Sequence, residues 1–139
     1  MNDQRQNSAS AFLGRGWAFP VGSEAGEVYT AAYEEDIRQA VRIILGTNPG
    51  ERVMRPEFGA GLNAFVFEPV NTNTMQTLRI RVEKSLVKWE PRIDVENVAV
   101  IPDAAEHNRL YIEISYRVRL TNTQHNMVYP FYLQEGSTS

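Results

Sequence analysis

Among the acids of this sequence, Glu34, Glu35, Asp36, Glu57, Glu68 and Glu90 are candidates by type for acid–base chemistry. Hydrolysis of a glycosidic bond needs two such groups held roughly 5–9.5 Å apart, one of them kept protonated. Glu34 to Asp36 instead read as the first turn of a helix, where acids complement the dipole. Glu57 and Glu90 lie among arginines, in Arg55-Pro56-Glu57 and Glu90-Pro91-Arg92. A neighbouring guanidinium favours the charged carboxylate and opposes a general-acid role. A cell-wall hydrolase with Glu57 or Glu90 as its acid therefore stands as the alternative reading, not the first.

Other chemistries find less support. His107 and His125 fall in separate expected turns, neither with a second ligand at helical or turn spacing, and Cys is absent. No metal or cofactor site is expected. No Gly-x-Ser-x-Gly elbow marks a nucleophile. Gly59-Ala60-Gly61 is followed by no Lys-Ser/Thr pair, so a packing or turn role outweighs a phosphate cradle.

What the charged stretches do suit is recognition. Arg52, Arg55, Glu57, Glu90 and Arg92 are stiffened by Pro56 and Pro91. In an extended segment residues two apart point the same way, so Glu90 and Arg92 share one face across Pro91. That face is either an internal ion pair fastening a helix-to-strand junction or a docking element for a partner. Both readings stand at this point. Twelve of the fourteen basic residues are Arg, the exceptions being Lys84 and Lys88. The planar Arg fork suits carboxylate pairs and ring stacking at interfaces, although a coding bias would give the same count.

The elements that position these groups are readable from periodicity. Ile37, Ala40, Val41 and Ile44 form one stripe and predict a helix over 34–45, stopped at Gly46. Val28 and Tyr29 suit a short strand after a turn around Gly22 to Gly26. Met75, Leu78, Val82, Leu86 and Trp89 predict a second helix over 73–89, capped by Asn71 or Thr72 and ended by Pro91. Between them, Phe58, Leu62, Phe65 and Phe67 supply apolar anchors for short helical or turn pieces.

The remainder reads as β. Ile93, Val95, Val98 and Val100 suggest a first strand with a bulge near Glu96-Asn97. Leu110 to Leu120 alternate as a half-buried second strand, with a turn over 122–126 after it. Met127, Val128, Tyr129, Phe131, Tyr132 and Leu133 make a third strand. Pro130 inside it confines it to a sheet edge, where free backbone groups can accept a strand from another chain. The fold class is thus α+β: a small single domain with two main helices packed on a three-to-four-stranded, mainly antiparallel sheet. Residues 1–16 read as a flexible N-terminal arm, 17–133 as the domain and 134–139 as a tail.

Composition fits this picture. At 139 residues and 42% hydrophobic content the chain can bury a core without disulfides. A formal charge of −3 argues against a general nucleic-acid binder. No apolar run is long enough for membrane insertion, and no secretory leader is read in Met1 to Ser10.

Two motifs then carry a resemblance. Gly50 to Leu62, GERVMRPEFGAGL, and Trp89 to Ile93, WEPRI, resemble the baseplate wedge or sheath-initiator family of contractile-tailed phages. Relatives of that family occur in type VI secretion baseplates, R-type tailocins and extracellular contractile injection systems. The likeness runs from about Glu34 to Leu133. It includes Ile44 to Gly50, Val66-Phe67-Glu68-Pro69 and Val128-Tyr129-Pro130-Phe131. It implies a non-enzymatic part, assembled in the cytoplasm and built into a tail-like particle. Its partners would be baseplate wedge proteins and the sheath protein, with tube or hub proteins reached through the arm, in six copies per particle. It further implies that Glu90, Pro91 and Arg92, with Arg52, Arg55 and Glu57 nearby, dock on the wedge. The third strand would offer its edge to sheath arms. Some family members carry a lysozyme label, which this sequence does not support.

Overall fold

The computed structural model describes residues 24–134. The expected arm, the apolar Trp17 to Val21 and the tail beyond Gln134 lie outside the described residues. Helix α1 runs Glu24–Gly46, a 3-10 turn Leu62–Phe65, and helix α2 Thr72–Trp89. Strands β1 (Ile93–Pro102), β2 (Arg109–Val118) and β3 (Thr123–Tyr132) form one antiparallel sheet in the order β1-β2-β3. The class is α+β, as read from the sequence. The chain divides into two compact units, residues 1–39 and 40–139, with the boundary inside α1.

In the first unit the described part is helical throughout. Val28 and Tyr29 lie in α1, not in a strand, and Val28 is exposed. The good helix formers Glu24, Ala25, Glu27, Ala31 and Ala32 extend the helix ten residues before the expected start. Ile37 is fully buried.

The second unit holds the sheet. Asn71 caps α2, its side chain accepting from the Thr74 amide at 2.8 Å. Leu78, Val82 and Leu86 are completely buried, and α2 lies against β1. One sheet face is core: Leu110, Ile112, Ile114, Tyr116 and Val118 of β2 are flanked by Ile93 and Val98 on β1 and by Met127 and Phe131 on β3. The bulge falls where expected, between Val95 and Asn97. β3 begins four residues earlier than the apolar pattern suggested, so the 122–126 turn shortens to one ending at Asn122, a residue that tolerates its φ of 55°. His125 therefore sits in β3, stacked on Tyr116 with ring centroids 5.6 Å apart, not in a turn. Phe67, read as an apolar anchor, is instead exposed, and Leu120 lies in the exposed turn after β2.

The β1–β2 connection is closed by Asp103. Its carboxylate accepts from the Tyr111 hydroxyl at 2.8 Å, the Ala105 amide at 2.7 Å, the Arg109 Nε at 2.7 Å and the Glu106 amide at 3.1 Å. The Tyr111 hydroxyl, then these other donors, hold its pKa well below the ordinary carboxylate range. A carboxylate lowered on folding adds stability above its unfolded pKa of about 3.9, and that stability is lost as pH falls below it. The melting temperature should accordingly drop between about pH 5 and pH 2, a window that opens about one unit above that value and runs about two units below it, towards the lowered folded pKa. Asp103→Asn should melt lower at pH 7 yet lose less on acidification. Parallel pH profiles from thermal scans would contradict this.

Candidate functional site

Two regions of the second unit gather the residues singled out above. The first is the corner where α2 ends. Glu90 is its C-cap residue, 3% exposed, with its amide bonded to the Leu86 carbonyl at 2.9 Å. Pro91 then breaks the helix, and Arg92 folds back. Glu90 Oε1 accepts from Arg92 Nε and Oε2 from an Arg92 terminal nitrogen, both at 2.7 Å, while the Arg92 amide adds a bond of 3.2 Å to Oε1. The fork is therefore made within the chain. The Arg92 side chain stays 31% exposed, so one flank of the ion pair reaches the surface.

Against this corner leans the loop from Gly50 to Gly59. Phe58 meets Trp89 edge-on, centroids 5.2 Å apart. Arg52 stacks over Phe58 at 5.0 Å, and Arg55 and Lys88 over Trp89 at 5.4 and 4.8 Å. Such stacks add modest energy but fix where the charges sit. Glu57 is exposed and, among the described residues, joins no ion pair with them. Thus the structure brings Arg52, Arg55, Glu90, Pro91 and Arg92 to one corner around Trp89, with Glu57 on the same loop. The aromatic pair at its centre was not singled out from sequence. Trp89 had been read as the last member of a core stripe and Phe58 as an anchor, and both fall in the two resemblance motifs, but their contact with each other was not read.

The second region is the outer edge of β3. Leu133 donates its amide to Asn108 at 2.7 Å, which fixes the inward direction. Amides along an antiparallel strand alternate, so Phe131, Tyr129, Met127 and His125 point towards β2. The N–H groups of Gln124, Asn126, Val128 and Tyr132 point outward, and Pro130 occupies an outward position that needs no donor. Among the described residues no strand pairs with this edge. Of the side chains expected there, Met127, Tyr129 and Phe131 lie on the core face, Val128 and Tyr132 on the outer face, and Leu133 is buried just past the strand. Gln124 and Asn126 extend the edge beyond what the sequence reading included. Their polar side chains hid the start of the strand from the apolar pattern. The other edge, β1, is broken by its bulge, which twists a strand away from further pairing.

Among the described residues no group of three or more His, Asp or Glu could hold a metal ion, and no helix is long and apolar enough to cross a membrane.

Residues 31–123 match the family model described as baseplate wedge protein gp25. The chain is 34% identical over 82 residues to baseplate wedge protein gp25 of Enterobacteria phage T4, a match covering 59% of this chain and 61% of that protein. A Geobacter sulfurreducens protein, described from its crystal structure as a candidate tail lysozyme, is 47% identical with a TM-score of 0.70, covering 86% of this chain and all of that one. A chain of the anti-feeding prophage baseplate, solved with six-fold symmetry applied, shares the fold at TM-score 0.51 and 24% identity, over 74% of this chain and 71% of that one.

Proposed function

Because the chain belongs to the baseplate wedge protein gp25 family, we propose that it is a structural part of a contractile injection machine that docks on the wedge and starts sheath growth. The observation that carries the second half is the outer edge of β3. Its outward amides and carbonyls match an extended arm of a sheath subunit, which would add as a further strand. The corner of Glu90, Pro91 and Arg92, with Arg52, Arg55 and Glu57, serves as the wedge contact in this reading. Six copies per particle accord with the six-fold baseplate among the structural relatives. Residues 1–16 would reach tube or hub proteins. Assembly would take place in the cytoplasm, and the role requires no catalysis.

Val128→Pro tests strand addition. The outward Val128 amide takes no part in the sheet, so proline removes a donor only from the free edge. The variant should stay folded and enter the baseplate, while the fraction of baseplates that nucleate sheath falls by about tenfold or more. Normal sheath on Val128→Pro particles would defeat the templating role.

The likeness to a candidate tail lysozyme favours one second reading, a peptidoglycan hydrolase. Glu90 is committed to Arg92, which leaves Glu57 as the carboxylate to test. Clearing of a peptidoglycan suspension by the pure protein, abolished in Glu57→Gln, would support this reading over the first.

A further inference from the structure

We infer that the Gly50–Pro56 loop is a preformed plug for an apolar socket rimmed by carboxylates on a partner protein. The inference rests on the wedge-docking reading and states the chemistry of the partner at that corner. Val53 and Met54 occupy the loop apex and are 94% and 91% exposed. A folded chain gains nothing by projecting two adjacent apolar side chains into water, and exposed apolar groups ringed by polar ones are the usual mark of a contact surface.

The loop is also ordered in advance. The Gly50 amide donates to the Pro56 carbonyl at 2.7 Å, closing the ring that carries the apex. The Glu51 carboxylate accepts from the Asn48 amide at 3.1 Å and from its side chain at 2.7 Å, and the Glu51 amide returns a bond to the Asn48 carbonyl at 3.1 Å. The Phe58 amide donates to the Arg55 carbonyl at 3.0 Å. A plug held this way loses little entropy on binding.

Charge identifies the rim. Arg52 and Arg55 bracket the apex, and each is stacked on a ring and paired with no carboxylate among the described residues. Lys88 adds a third cation on Trp89. Two placed cations bracketing an apolar tip, with a third on the ring that holds Arg55, fit an apolar hollow edged by Asp or Glu. An anionic membrane fits less well, because Glu51 and Glu57 at the ends of the same loop would face the lipid phosphates, whereas a discrete socket can avoid them.

The test uses the full chain and the wedge proteins of its own particle, purified without it, with binding measured at low and high salt. Wild type should bind, more weakly as salt rises. Val53→Ser/Met54→Ser should bind at least about tenfold more weakly with the salt dependence kept. Arg52→Gln/Arg55→Gln should also weaken binding and flatten that dependence. Exposure of the apex makes the serine variant neutral for folding, which thermal unfolding checks. If wild type binds and the serine variant binds within about twofold of it, the plug is wrong and docking survives. If wild type does not bind, the docking reading fails and the plug with it. Serine-sensitive binding of wild type to phosphatidylglycerol vesicles, but not to the wedge proteins, would overturn the protein socket in favour of lipid.

Discussion

Arg92→Ala should destabilise this protein more than Glu90→Ala, although both break the same pair. Removing Arg92 leaves a carboxylate that is 3% exposed with no counter-charge. Removing Glu90 leaves a guanidinium whose side chain is already 31% exposed and can turn to water. Breaking a fully buried pair costs about 3–5 kcal/mol, most of it from stranding the remaining charge. Partial exposure of Arg92 lowers the expectation to about 2–4 kcal/mol for Arg92→Ala and about 1–2 kcal/mol for Glu90→Ala. The double variant should then be more stable than Arg92→Ala alone, since it no longer buries a lone charge. Urea unfolding of all three decides it. Equal losses for the two single variants would mean that the corner is held by something other than this fork.

The result bears on docking as well as stability. A pair made within the chain is not thereby barred from a partner, because the outer flank of Arg92 reaches the surface. It does mean that an alanine variant that fails to enter a baseplate is ambiguous. Arg92→Lys separates the roles: it keeps a cation for Glu90 but loses the planar fork that a partner could share. Incorporation should therefore be compared between variants matched for unfolding free energy.

This distinction was not available from the sequence. The Glu90-Pro91-Arg92 spacing announced a shared face, yet spacing alone does not tell whether two opposite charges on one face meet each other or a third group. That depends on burial, and Glu90 is 3% exposed in the folded chain. Elements with strong local signals were legible: the α2 stripe and its Asn71 cap, the bulge beside Asn97, and the edge position of Pro130. Two elements were misread. The start of α1 was missed because the adjacent pair Val28-Tyr29 was taken as strand although good helix formers flank it, and β3 starts in Thr123-Gln124-His125-Asn126, where cross-strand pairing to β2 overrides weak propensity. Phe67 misled because an aromatic side chain was counted as core while nothing in the sequence limits how many can fit there. The exposed apex at Val53 and Met54 was invisible for the mirror reason.

Gly59→Ala should cost about 3–5 kcal/mol, more than the same change at Gly46, Gly50 or Gly61, by joining backbone strain to overpacking. Gly59 has φ 117°, a region L-residues avoid. A Cβ there would also run into the carbonyl oxygen and carbon of Thr47, which are backbone and cannot rotate aside. Thr47 is itself fastened, its hydroxyl donating to the Ile43 carbonyl at 2.5 Å and its carbonyl accepting from the Gly61 amide at 3.3 Å. Gly50 is the control: its φ is 97°, yet its Cβ would meet nothing within 4 Å. Gly50→Ala carries only the conformational part, about 1–2 kcal/mol. The difference between the two isolates the close approach that seats the loop on the end of α1, where the Ala60 amide meets the Ile44 carbonyl at 2.9 Å. Denaturant midpoints at unchanged m-value supply the comparison. Should Gly59→Ala prove no worse than Gly50→Ala, the loop is seated by its stacked rings rather than by its backbone. The position of Val53 and Met54 would then depend on Phe58 and Trp89 alone.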